Sequence, residues 1–303
     1  MSQTIETSFV KQFSDTVHML AEQRMSRLRP TVAQESVTGE AWTVERLGGV
    51  QSQEITNRFA AMPINEIEHD RRWGYIKAYD AVALLDNYDK VRNLVSFESP
   101  YTMRLASEIG RAIDRTIIGA MDASVQEGKN GETTTVFPAA QTVFNYSTGT
   151  TPGPLNLRTL IAAKEKLLAS EAVGDPDAPV TVAFNANGWR SLLEDERITN
   201  ADYNTLRALE SGRVVGLMGM NFVRTELLPD LSDGTYDSGA AGNRVFMYLS
   251  DAMEFGVAKE PAARIDQRPD LRTVPWQAYI MGAWGAVRKE DVRVVRILAK
   301  KIV

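Results

Sequence analysis

Cysteine is absent from the 303 residues, which excludes disulfides and thiolate metal sites and fits a chain made in a reducing cytoplasm. Histidine is nearly absent. His18 and His69 are the only two, and neither has the H-x-x-x-H or H-E-x-x-H spacing of a zinc site. No run of some 18 apolar residues occurs, so no transmembrane helix and no membrane partner are expected. The first residues lack the basic-then-apolar layout of a signal peptide. A net charge of -5 argues against a dedicated nucleic-acid binder, which carries a basic surplus.

The motifs of common reaction chemistry are missing too. There is no G-x-x-x-x-G-K-[ST], no G-x-G-x-x-G and no G-x-S-x-G. Gly216 and Gly219 in GLMGMN read as turn glycines. His69-Asp70 reads as a polar surface pair, and Asp86 and Asp89, three apart, as a solvated helix face. The basic residues Arg288, Lys289, Arg293, Arg296, Lys300 and Lys301 are offset by Glu290 and Asp291. They suit the polar positions of a half-exposed strand. No catalytic, cofactor-binding or metal-ligating residue is assigned, and the chain is not expected to be an enzyme.

What is present is pattern, and its centre is residues 99–128. Apolar residues recur at helical spacing at Leu105, Ile109, Ala112, Ile113, Ile117, Ala120 and Met121. Arg104, Glu108, Arg111, Asp114 and Arg115 form the opposite, polar face. Ser99 is placed as N-cap, Pro100 at the first helical position, and Gly128 at the end. The result is a rod of about 40 Å for other elements to pack on.

Residues 1–36 read as an arm, with a helix over 8–28 striped by Phe9, Phe13, Val17, Leu20 and Leu28 and stopped at Pro30. Residues 37–85 alternate as strands at Trp42/Val44 and Trp73/Tyr75/Tyr79, around turn signals at Pro63 and Asn65. They predict a long hairpin whose polar middle has no core of its own, so it needs another surface to lie on. Residues 81–94 read as helix. Later come a strand near 133–137, a helix from Asn156, a buried strand over 180–184, and a helix capped by Asn185 or Asn187. Loop, helix and turn follow, then strands over 221–227, 245–249 and 292–298, with alternation from Val274 to Trp284. Without regular βαβ repetition the fold class is α+β.

These pieces, in order, carry a resemblance. The sequence gives Arg71-Arg72, then LLDNYDKVR over 84–92, Ser99-Pro100-Tyr101, and GRAIDRTII over 110–118. Further on come ITNADYN over 198–204, GMNF over 219–222, Leu228-Pro229, ARID over 263–266 and Arg268-Pro269-Asp270. In this the chain resembles major capsid proteins of tailed bacteriophages over about residues 40 to 290. Its ending, Arg288-Lys289-Glu290-Asp291 and a basic tail, departs from the Glu-rich turn common there.

The resemblance implies a tailed-phage capsid fold with an arm (1–36), an extended hairpin loop (37–80), a peripheral domain (81–139 and 266–303) and an axial domain (140–265). It implies self-assembly through pentamers and hexamers into an icosahedral shell around double-stranded DNA, with the loop lying over a neighbour's spine helix. Expected partners are a separate scaffolding protein, a portal protein at one vertex, a possible decoration protein and the packaged DNA in non-specific contact. The place is the virion, assembled in the bacterial cytoplasm. The alternative is an encapsulin-like nanocompartment shell around a cargo enzyme. A third reading, an enzyme with a cryptic site, has only the weak carboxylate pairs behind it.

Overall fold

A computed structural model describes residues 23–50, 52, 54, 64–85, 98–144, 152–169, 179–195, 216–231, 242–272 and 274–301. The strands of the first half are β1 (Ala33–Ser36), β2 (Ala41–Leu47), β3 (His69–Tyr75), β4 (Lys77–Leu85), β5 (Val125–Glu127), β6 (Thr133–Thr135) and β7 (Thr142–Val143). Those of the second are β8 (Val180–Phe184), β9 (Gly216–Leu217), β10 (Met220–Arg224), β11 (Gly242–Leu249), β12 (Met253–Gln267), β13 (Trp276–Arg288) and β14 (Val294–Lys300). The α-helices are α1 (Glu98–Asp122), α2 (Leu157–Ala169) and α3 (Ala186–Leu193).

The strands form three sheets, with orders β1-β12-β13-β4, β7-β14-β11-β8-β10-β9 and β2-β3-β5-β6. Helix α1 supplies the spine that the sequence predicts. Its residues Ile109, Ile113, Ile117 and Met121 are buried in one large core with Leu160 and Leu167 of α2 and the apolar residues of β8, β11 and β14. All five residues of β8 are buried, as are six of the seven in β14. Such double-sided burial selects continuous β-branched and aromatic runs over alternation. The helix caps behave as the sequence suggests: Thr159 N–H donates to Asn156 Oδ1 at 2.8 Å and Gly188 N–H to Asn185 Oδ1 at 2.9 Å.

Three expectations are corrected, and a fourth difference is a strand that the sequence pattern does not anticipate. The spine helix starts at Glu98 and ends at Asp122, so Ser99 and Pro100 lie inside its first turn and Gly128 lies beyond it. Its end is set from outside: Arg288 donates to the carbonyls of Met121 at 2.9 Å and Ala123 at 3.0 Å. A cation on those orphan carbonyls closes the helix. Val125–Glu127 then joins β3 and β6, and Gly128 (φ 96°) turns the chain between β5 and β6.

Second, 81–85 is strand, because the short apolar run AVALL fits either period and β13 captures it, pairing Ala81 with Ile280 and Ala83 with Ala278. The rest of the helix expected over 81–94 lies outside the described residues. Third, 23–28 is not helical, and 29–31 forms a single 3-10 turn; 8–22 lies outside the described residues. Fourth, β12 carries no sequence alternation in its exposed half, and its register shifts between Val257 and Ala262. Those irregularities accommodate Pro261 in a strand that periodicity does not reveal. The helix expected before 216 lies outside the described residues.

Candidate assembly surfaces

The hairpin divides into two parts. Its base, β2 paired with β3 over seven positions, is seated on the subunit. Trp42 and Val44 are buried with Val37, Val125 and Val287 in a small second core, so the base is seated, whereas of the polar middle expected to have no core, residues 51, 53 and 55–63 lie outside the described residues. Trp42 faces Gly74 across the pair, where an added Cβ would stand 2.4 Å from the indole, so only glycine fits. The indole N–H donates to Glu254 Oε1 at 2.8 Å. The distal part is different. Leu47 at the outer edge of the base is 67% exposed, and beyond it Val50, Ile64 and Ile67 are 53%, 91% and 46% exposed, among exposed Glu54, Glu66 and Glu68.

A charge network fixes the base to the spine. Arg72, 1% exposed, donates to both oxygens of Asp291 at 3.0 and 2.8 Å, to Glu127 at 2.7 Å and to the Arg288 carbonyl at 3.0 Å. Arg288, 0% exposed, bonds Asp291 at 2.5 Å. Burial pulls the Arg72 guanidinium down, but Asp291 and Glu127 outweigh it and its pKa is raised. Burial also lowers Arg288, and there it prevails. Asp291 is held below the usual carboxylate range: burial pushes it up, and Arg72 and Arg288 more than reverse that. Beside this knot, Asp122 at the end of α1 pairs with Arg244 of β11 and Arg296 of β14. The Phe137 ring lies between Arg288 and Arg296, with the guanidinium carbons 5.0 and 4.7 Å from its centroid.

The basic ending is therefore not a half-exposed strand. Arg288 and Arg296 are buried, Lys289 bonds Glu254 at 2.6 Å, and Arg293 pairs with Asp251 and Glu290. Asp291 and Glu290 lie three residues from Arg288 and Arg293, but Asp122, Glu254 and Asp251 lie far away in sequence, where local pattern gives no hint of them.

Between α1 and the β3–β4–β13 side runs an open groove of 740 Å³, lined by Trp73, Tyr75, Tyr79, Ala112, Gly119 and Trp284 among others. Tyr79 stacks on Trp284 with centroids 4.6 Å apart.

The other residues singled out in the sequence are scattered. His69 is exposed at the start of β3, and Asp70 pairs with Arg46. Gly216 lies in β9, and Gly219 (φ 73°) makes the turn into β10. Among the described residues no cluster of acidic and histidine side chains is placed to hold a metal ion. Among them, too, no helix is long and apolar enough to cross a membrane. His18, Asp86 and Asp89 lie outside the described residues.

A spine helix between sheets, with a hairpin anchored by buried charge at its base and carrying exposed apolar side chains beyond it, defines a building-block protein. The chain belongs to the phage capsid protein family, whose model matches residues 5–301, and its role is that of a major capsid protein. No curated protein matches the sequence. Solved structures share the fold over nearly the whole chain. The cyanophage P-SCSP1u capsid has a TM-score of 0.72 at 12% identity, covering 100% of this chain and 96% of that one. The cyanophage Pam1 capsid has 0.73 at 15%, covering 97% of each. The capsid of Ralstonia phage GP4 has 0.73 at 9%, covering 98% of this chain and 96% of that one.

Proposed function

We propose that this chain is the coat subunit of a tailed phage, assembling through pentamers and hexamers into an icosahedral shell around double-stranded DNA. The observation that carries this is the hairpin. Its base is built into the subunit, while four large apolar side chains at and beyond the outer edge of that base are exposed. A monomer gains nothing from that arrangement, whereas a second copy lying against it buries the surface. Repeated over many copies, individually weak contacts make a stable closed assembly.

In this reading 1–36 is the arm, 37–80 the extended loop, 81–139 with 266–303 the peripheral domain and 140–265 the axial domain. The loop lies over a neighbour's spine. The shell forms in the host cytoplasm with a scaffolding protein, takes a portal at one vertex, and leaves its outer face open to a decoration protein. Its work is structural, without catalysis. The phage capsids among its structural relatives favour this over a nanocompartment with an enzyme cargo.

The test is deletion of residues 48–68, rejoining β2 to β3 through a short turn. The truncated chain keeps its helical circular dichroism, because the base has its own core, and runs as small species instead of shells. Loss of the helical signal would make the hairpin an intramolecular element and overturn the reading. Nucleic acid absorbance in purified particles separates a genome shell from a cargo compartment.

A further inference from the structure

Asp114 sits on the face of α1 that the sequence marks as polar, yet it is 0% exposed. Its carboxylate is occupied by the arm. Ser26 Oγ donates to it at 2.5 Å, Arg27 N–H at 3.2 and 3.1 Å to its two oxygens, Leu28 N–H at 3.1 Å, and Gln23 Nε2 as well. All of these donors are neutral and all come from residues 23–28. One helical turn earlier, Gly110 lets the arm cross in contact: a Cβ there would stand 2.9 Å from Ser26 N and 3.0 Å from the Met25 carbonyl carbon. Gly110 and Asp114 thus form one seat, at i and i+4 on a single face.

From this seat the arm reaches three other places. Arg27 donates to the Arg224 carbonyl at the end of β10 at 2.6 Å. Arg29 makes a two-bond pair with Glu260 of β12 at 3.1 and 2.6 Å, and β1 pairs in parallel with β12. Leu28 is completely buried in the large core. Residues 23–37 are therefore a strap that touches the spine helix, the six-stranded sheet and the β12 strand.

We propose that Asp114 is the positioning residue of this strap: it ties the arm to the spine helix and so fixes how the six-stranded sheet is held against the helix in the shell. This rests on the capsid reading for its consequence, but not for the seat. A buried carboxylate that takes two backbone N–H groups and two neutral side chains from residues 23–28 is matched to one conformation of the strap. Replacing it with an amide puts a donor against those donors. In a shell, a change in the angle between two parts of the subunit is repeated at every copy and appears as a change in curvature.

The test uses the full-length chain and trypsin, which cuts after Arg24 and Arg27. Asp114→Asn is expected to raise the rate of cleavage at these two sites about tenfold or more, since proteolysis reports the opened population. Particles from that variant are expected to show a shifted or broadened diameter by light scattering and electron microscopy. Ser26→Ala with Gln23→Ala removes the two side-chain partners on the arm side, leaves the helix untouched, and is expected to give the same pattern in smaller measure. This second variant decides the matter should Asp114→Asn lose its helical circular dichroism. Unchanged cleavage in the arm variant overturns the seat. Faster cleavage with particle diameters unchanged overturns its role in shell geometry. A wild-type chain that forms no shells even in cells that supply the scaffolding protein overturns the capsid reading, while the cleavage comparison still decides the seat.

Discussion

Arg72 and Asp291 stand 219 positions apart in the chain and are joined by two hydrogen bonds of 3.0 and 2.8 Å. Arg288 shares the same carboxylate, so one aspartate bridges two buried guanidinium groups, with Glu127 as a second carboxylate on Arg72. Through it the base of the hairpin, the end of the spine helix and the last two strands become one rigid joint.

Asp291→Asn is expected to lower stability by about 3–5 kcal/mol, the usual cost of leaving buried charge unpaired. Because the Asp291 pKa is lowered in the fold, its contribution is present above the ordinary carboxylate value and lost as pH falls through the depressed one. Urea titration of the subunit at neutral and acid pH checks this. The variant and the wild type should converge as the pH approaches that depressed value. A constant gap would place the stabilisation elsewhere.

The core stripe of the spine offers a blunter probe. Ile117 is 0% exposed, so Ile117→Asp places a carboxylate among apolar neighbours at a cost of several kcal/mol. Ile113→Asp, at a site 4% exposed, acts the same way. Neither variant should yield particles, and most of the protein should be insoluble on expression. Normal particles from either would show that the stripe is not a core.

That stripe was plain in the sequence because its four-residue spacing repeats from Ile109 to Met121. The buried strand Val180–Phe184 and both asparagine caps were plain for the same reason: their signals are local. Asp114 was not. On a helical wheel it falls with Glu108, Arg111 and Arg115, and only the arm crossing at Gly110 removes it from water. Arg288 and Arg296 were misread likewise, since an arginine in a strand looks solvent-facing until its partners, Asp291 and Asp122, are folded against it. The family likeness supplied the architecture, whereas the anchoring charges had to come from the structure.

Where the hairpin base meets the sheet, Gly285 is the tightest point. An added Cβ would stand 2.1 Å from the Tyr75 carbonyl oxygen, which is backbone and cannot step aside. Gly285→Ala is expected to cost about 1–3 kcal/mol by overpacking. It should lower the melting temperature of the subunit and raise the exposure of Trp42, read by fluorescence quenching. An unchanged melting temperature would show that the base is loosely held.

The strand β1 of the arm carries a pH signal. Glu35 hydrogen-bonds Glu254, which also accepts from Trp42 and Lys289, and this shared contact raises the Glu35 pKa ahead of charge repulsion and burial, with Lys289 opposing. Burial pushes Glu254 up, but the bonds from Glu35, Lys289 and Trp42 outweigh it and its pKa is lowered. The proton held at Glu35 is lost as pH rises through its raised value, so the β1 contact should weaken in that direction. Amide exchange at Val37, whose N–H donates to the Val257 carbonyl at 2.9 Å, reads this directly. Relative to Glu35→Gln, which keeps a donor at every pH, wild type should lose protection on the alkaline side. Parallel profiles for the two proteins would rule the contact out.

The shell should be held together without covalent links. Some capsids of the resembling group join a loop lysine to an asparagine of a neighbouring subunit through an isopeptide bond. That chemistry needs a neutral amine, hence a lysine able to lose its proton in a desolvated site. Between Val37 and Asp70 this chain has Arg46 and Arg58 but no lysine, and a guanidinium stays protonated. Lys77 comes next, and it is exposed at the start of β4, opposite Trp284, at the seated base of the hairpin and not at its far end. Without cysteine a disulfide is excluded as well. Cohesion then rests on buried area, strand pairing and charge complementarity, each modest and repeated over many copies. Mature particles boiled in detergent should run as a single band of 33.6 kDa. A ladder of pentamer-sized and hexamer-sized species would overturn this, and Lys77→Arg would then be the variant that tests whether Lys77 forms the link.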